Sequence, residues 1–153
     1  MERGRPQYNR ERYVTNREYQ SFTYTGNISG VMSGETFLNF PHGTGSAYYK
    51  DGTIYKGLFS FGKKHGYGEL TYSDGSIYKG EFKKNNRDGY GELTRYDGSF
   101  YKGDFKDDNS HGYGIYQCHC GCLYQGNHVN NCRSGDGFYR DPFGNTFKGK
   151  FDD

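Results

Sequence analysis

The residues best suited to chemistry in this chain are its four cysteines. Three fall in one run, Cys118-His119-Cys120-Gly121-Cys122, and Cys132 lies ten positions further on. Four thiolates beside an imidazole are the usual makings of a zinc site, and in an oxidising compartment the same thiols make a disulfide framework. A second set is His42, His65 and His111, each immediately before a glycine. A row of imidazoles at fixed spacing offers metal ligands or proton carriers. The third is the N-terminal run of Arg3, Arg5, Arg10, Arg12 and Arg17 interleaved with Tyr8, Tyr13 and Tyr19, the composition of an arm that binds nucleic acid. What any of these can do depends on the elements that carry them.

Those elements repeat. Tyr55-Lys-Gly-Leu-Phe59, His65-Gly-Tyr-Gly68-Glu-Leu70 and Asp74-Gly75 return 23 residues later as Tyr78-Lys-Gly-Glu-Phe82, Asp88-Gly-Tyr-Gly91-Glu-Leu93 and Asp97-Gly98. Tyr101-Lys-Gly103-Asp-Phe105 with His111-Gly-Tyr-Gly114 is the next copy, and a looser one carries Tyr124, Gly126, Gly135, Gly137 and Gly144. Phe147-Lys-Gly149-Lys-Phe151 closes the chain as a half copy. Upstream, His42-Gly-Thr-Gly45 and Asp51-Gly52 hold the same register, which places the first copy near Met32. Internal periods of this length mark stacked supersecondary units.

Each copy reads as a hairpin. Ile77 to Phe82 alternates, so Tyr78, Gly80 and Phe82 share one face while Ile77, Lys79 and Glu81 share the other. Gly89, Gly91 and Leu93 oppose Tyr90, Glu92 and Thr94 in the same way, across a connection at Lys83–Asp88. Asp97-Gly98 suits the tight turn into the next copy. Rings over bare backbone make up for the packing that strand glycines lose. Stacking then aligns Tyr55, Tyr78, Tyr101 and Tyr124 in one ladder and Phe59, Phe82 and Phe105 in another. The predicted fold is all-β: a single-layer repeat ribbon of consecutive antiparallel hairpins on a 23-residue period. It comprises a charged tail at 1–20, a capping strand segment at 21–31 and five copies plus a half copy over 32–153.

Composition agrees with a thin sheet. Hydrophobic residues are 31% of the chain and mean hydropathy is −1.09, too polar for a two-layer globule. With 17 Tyr and 12 Phe it is too aromatic for a disordered chain. The net charge of +2 sits in residues 1–20, where five arginines face three glutamates, and the body is balanced. No apolar run has the length of a signal-peptide core or membrane span, Glu2 excludes myristoylation, and Phe-Asp-Asp at the end is no prenylation box. The expectation is a cytoplasmic protein with reduced cysteines.

The pattern Tyr-x-Gly-x-Phe, His-Gly-x-Gly, Asp-Gly-x-x-Tyr over about residues 32–153 resembles MORN repeats. That family usually has Trp where this chain has Phe59, Phe82 and Phe105, and Cys120-Gly121 replaces Asp-Gly at the fourth junction. The resemblance implies a scaffold or adaptor of cytoskeletal, ciliary (axonemal) or membrane-contact assemblies, some of whose relatives bind phosphoinositides.

Set on this frame, the candidate chemistry thins out. Successive histidines of the column lie roughly 10 Å apart, too far to share an ion at bonds of ~2.1 Å. Asp88 and Ser134 fill the same column, as a turn-stabilising role explains. Cys118 to Cys122 surround a turn, and Cys132 falls in the next connection at the opposite edge, about 20 Å away on strand geometry. Alternation also turns neighbours such as Cys118 and His119 to opposite faces, so unliganded thiols are expected, with zinc and a redox-sensitive turn as the alternatives. No phosphate-binding glycine loop and no catalytic triad is present in the sequence. The expectation is therefore no catalysis, no cofactor and no metal. The partner-binding surface is expected on the aromatic face, at Tyr55, Phe59, Tyr78, Phe82, Tyr101, Phe105 and Tyr124. Tail contacts come from the five arginines, whose glutamates make a protein partner the expected one rather than nucleic acid. A peripheral membrane tether, using the tail with Lys63, Lys64, Lys83 and Lys84 on anionic headgroups, is the second reading. Self-association through the unpaired last strand is a further possibility.

Overall fold

The computed structural model describes residues 9–19, 21–33 and 36–153, and its regular structure is all strand. The first strands are β1 (Asn9–Glu18), β2 (Phe22–Ser33) and β3 (Thr36–Tyr49), followed by β4 (Ile54–Ser60) and β5 (Lys63–Thr71). The period then gives β6 (Ile77–Lys83), β7 (Asn86–Thr94), β8 (Phe100–Lys106) and β9 (Asn109–Gln117). The last are β10 (Leu123–Val129), β11 (Cys132–Arg140) and β12 (Thr146–Asp152). All twelve pair in chain order, β1 to β12, as one open antiparallel sheet with no crossover.

Two kinds of turn alternate along the sheet, and side-chain chemistry selects each. Within a copy, β6 passes to β7 through Lys84 and Asn85, both at positive φ (51° and 83°), as a two-residue hairpin turn of the primed kind requires. The connection is thus shorter than the Lys83–Asp88 stretch expected. Between copies the turn is wider. Gly98 takes φ 83°, while the Asp97 carboxylate accepts the N–H of Ser99 at 2.9 Å. Asp51 and Asp74 receive the N–H of Thr53 and Ser76 in the same manner.

The core of a one-layer sheet has to be made on its surface. Tyr78 lies over Gly80 and Gly91, so close that a Cβ on Gly91 would stand 2.4 Å from the phenol oxygen. The phenol is not left unpaired: Tyr78 Oη donates to the Glu81 carbonyl at 3.0 Å, and the ladder pairing shifts register between Gly80 and Phe82. Tyr24, Tyr55, Tyr101 and Tyr124 donate to the carbonyls of Asn27, Leu58, Asp104 and Asn127, each three residues on, at 2.8–3.0 Å. The bulge bends the strand so that its carbonyl meets the hydroxyl. Edge-to-face contacts then run the length of the sheet, Tyr78 meeting Phe82 at 5.1 Å and Phe105 of the next copy at 5.0 Å. The burial of β6 alternates as the spacing predicts, Tyr78, Gly80 and Phe82 in and Lys79 and Glu81 out. Gly89 departs from this: it sits at φ 108° in the bulge, beside the Glu81 side chain and not under a ring.

The N-terminal organisation differs from the sequence expectation. Tyr24 is a full rung of the ladder, wholly buried, lying over Gly26 and Gly45 and meeting Phe59 at 5.0 Å. It stands 31 positions before Tyr55 rather than 23, because the β2–β3 hairpin is longer than the others. Residues 1–20 contain β1, which pairs with β2 from Asn9↔Gly30 to Glu18↔Thr23. Beyond it, Tyr19 stacks on Phe22 at 5.0 Å. Val14 and Tyr19 pack on the aromatic core, so residues 9–19 are no free tail. Deleting residues 1–20 is therefore expected to lower the melting temperature by a few degrees, since losing about 1 kcal/mol shifts a domain of this size by ~2–4 °C. An unchanged melt would show that β1 adds nothing to the sheet.

Candidate functional site

The structure brings every expected aromatic to one face, and it shows what they do there. Tyr55, Phe59, Tyr78, Phe82, Tyr101, Phe105 and Tyr124 are all buried, the most exposed at 6%. They hold the sheet together. Burial pushes the Tyr24 phenol up to about 12, and those of Tyr55, Tyr78 and Tyr101 also upward. A partner approaching this face meets the half-buried Tyr49, Tyr72, Tyr116 and Tyr139, and a column of cations.

That column is Lys64, Arg87 and Arg133, one position per copy except where Ser110 interrupts it. Each cation lies between the Tyr of its own copy and the Phe of the next. Lys64 Nζ is 5.8 Å from the Tyr55 ring centre and 5.6 Å from Phe82. Arg87 is 5.6 Å from Tyr78 and 5.1 Å from Phe105, and Arg133 repeats those distances on Tyr124 and Phe151. Their stems cover ring surface that a second layer would otherwise bury. Arg87 pairs with Asp108 at 3.2 Å and Arg133 with Asp153. Burial lowers the Lys64 pKa, as partial removal of an ammonium from water must. Sequence reasoning set Lys64 among the lysines for anionic headgroups and passed over both arginines. The signal was present, because positions 64, 87, 110 and 133 are one 23-residue column.

At the Ser110 gap the ladder also changes. His128 takes the Phe position, 4% exposed, edge-on to Tyr101 at 4.9 Å and Tyr124 at 5.1 Å. Burial lowers its pKa, and its Nδ1 has no hydrogen-bond partner. A cavity of about 950 Å³ opens here, walled by Tyr101, Tyr116, Tyr124, Tyr139, Arg87 and Arg133, with Cys118, Cys120, Cys122 and Cys132 along its side.

The cysteines depart from the expected set of unliganded, reduced thiols. Cys118 and Cys120 are joined in a disulfide, while Cys122 and Cys132 are free. The turn keeps the backbone bonds of its counterparts, Cys118 N–H to the Cys122 carbonyl at 2.9 Å and Gly121 N–H to the Cys118 carbonyl at 3.0 Å. With Cys120 in the place of the turn Asp and Cys122 in the place of Ser99, all three sulfurs converge within 4.8 Å. His119 stands apart, its Nδ1 3.8 Å from Asp97. Among the described residues no other group of metal-ligating side chains gathers, so the His42, His65 and His111 column holds no shared site. Nor is the turn-stabilising role expected of this column carried by Nδ1 of His42 or of His111, each buried without a hydrogen-bond partner.

Of the N-terminal arginines, Arg12 and Arg17 have described side chains. Arg12 is exposed, Arg17 lies 5.6 Å over the Tyr19 ring, and Arg3, Arg5 and the side chain of Arg10 lie outside the described residues. The opposite face of the sheet is a charged lattice, with Lys79–Glu69 at 3.1 Å and Lys102–Glu92 at 3.4 Å beside the exposed rings of Tyr67, Tyr90 and Tyr113.

A family model of the MORN repeat matches four consecutive stretches, residues 33–54, 55–77, 78–100 and 101–122. The match ends inside the cysteine turn, so the last hairpin and its half copy rest on the structure. Among curated proteins none matches the chain.

Proposed function

Because the chain belongs to the MORN-repeat family, we propose that it is a non-enzymatic scaffold that holds a protein segment on its ringed face within a ciliary or other cytoskeletal assembly of the cytoplasm. MORN repeats occur in scaffold and membrane-associated proteins, and the family is generally non-enzymatic. The observation that carries the reading is the cavity at the Ser110 gap. It combines half-buried tyrosines with two ring-seated arginines, the residue types that dominate protein interfaces. The assembly is taken from the family resemblance.

A peripheral membrane tether is the second reading, favoured by Lys63, Lys83 and Lys84, which are exposed at the hairpin turns. Lys64, counted earlier in that basic set, lies over rings and is spent on the fold. Affinity capture from cytoskeletal and soluble fractions, then reconstitution with the captured chain, tests the first reading. Arg133→Ala is expected to weaken that reconstituted binding about tenfold or more while the strand spectrum persists. Sedimentation with phosphatidylserine vesicles instead of a protein, unaffected by Arg133→Ala, would give the role to the membrane.

A further inference from the structure

Three sulfurs meet in one turn of this sheet, outside the aromatic ladder. In the other copies the turn is held by a carboxylate: Asp97 Oδ1 takes the Ser99 N–H, and Asp141 Oδ1 takes those of Phe143 and Asn145. In the fourth turn sulfur does this work, Cys118 Sγ accepting the Cys122 N–H at 3.1 Å. Cys122 Sγ is 3.4 Å from Cys120 Sγ and accepts the Tyr139 hydroxyl at 3.1 Å. Soft ions are held by sulfurs about 2.3 Å from the metal, which puts three such ligands ~3.8–4.0 Å from one another. The three sulfurs here lie within 4.8 Å, on a backbone the sheet pins at both ends. Hydrogen-bond donors aimed at sulfur orient and steady a metal-bound thiolate.

We propose that Cys118, Cys120 and Cys122, when reduced, form a binding site for one thiophilic d10 metal ion of the Zn²⁺ class. Reduction of the Cys118–Cys120 bond by a dithiol takes two electrons and two protons from the reductant, which leaves as its own disulfide. Binding then releases the thiol protons to water as three S–metal bonds form. Three sulfurs leave a tetrahedral ion one ligand short, so water or a partner's side chain completes the shell. The turn thus has two closed states, a disulfide and a metal thiolate, in the wall of the cavity.

Cadmium, which gives a thiolate charge-transfer absorption, is the probe. The full chain, reduced with excess dithiothreitol and desalted under nitrogen, is expected to bind one equivalent of Cd²⁺ with that absorption. Zn²⁺ is expected to compete for the same equivalent. Cys118→Ser, Cys120→Ser and Cys122→Ser should each weaken binding at least about tenfold, since even outer-shell losses cost metal sites 10–100-fold. Their strand circular-dichroism spectra should match that of the parent, which separates ligand loss from unfolding. A reduced parent with no one-equivalent endpoint, or an endpoint that survives Cys120→Ser unweakened, overturns the site. So does a Cys118–Cys120 bond that mass spectrometry shows intact under the reductant.

Discussion

Replacing Tyr78 by alanine is expected to cost about 3 kcal/mol or more of folding stability, and replacing Tyr90, twelve residues away on the same hairpin, about 1 kcal/mol or less. Both are tyrosines in strands, so intrinsic strand preference cancels between them. What differs is the face. Tyr78 is wholly buried, closes over Gly80 and Gly91, and contacts Phe82, Phe105 and Arg87. Truncation empties that seat on a sheet with no second layer to collapse into it, and large-to-small changes of buried aromatics cost ~3–5 kcal/mol. It also leaves the Glu81 carbonyl without the phenol at 3.0 Å, a further ~1 kcal/mol. Tyr90 is 54% exposed among charges. Chemical denaturation of the two variants beside the parent measures the difference. Equal losses would mean that ring-over-glycine packing does not carry the fold.

Most of this architecture was legible because a 23-residue period fixes which residues recur, and alternation within each strand fixes which of them share a face. Tyr78, Phe82 and Leu93 needed only those two rules. The rules failed where spacing or chemistry broke the pattern. Tyr24 went unrecognised as a rung because the longer β2–β3 hairpin displaces it from the period. Residues 9–18, rich in arginine and glutamate, looked like a solvated arm, since polar composition does not report pairing with β2. The cations were hidden because a charge beside a turn carries no sign of packing: Lys64 was set among the headgroup-binding lysines, whereas Lys64, Arg87 and Arg133 bend back over the rings that a second layer would otherwise cover. Strand geometry also kept His119 away from the sulfurs. It gave no warning that a five-residue connection draws positions 118, 120 and 122 to one point.

The last hairpin lies beyond the family match, and it offers the sharpest test that one packing rule governs the whole sheet. Gly137 in β11 has an ordinary strand conformation, so alanine there brings no backbone strain. Its Cβ would instead stand 2.7–3.0 Å from two ring carbons and the hydroxyl oxygen of Tyr124. That ring cannot swing away freely, because His128 at 5.1 Å, Phe151 at 4.9 Å and Arg133 at 5.6 Å hold it. Overpacking of this kind costs ~1–3 kcal/mol, and about 2 kcal/mol is expected for Gly137→Ala. In a Tyr124→Ala background the obstacle is gone. Glycine to alanine at an unstrained site then stabilises by ~0.4–1 kcal/mol, because the unfolded chain loses freedom. The same substitution should therefore change from clearly destabilising to neutral or better, a coupling of roughly 2–3 kcal/mol, within the range for residues in contact. Denaturation of the four chains of this double-mutant cycle measures it. Additive losses would show that Tyr124 and Gly137 do not share a seat, and that the final copy stands by some other means than the copies before it.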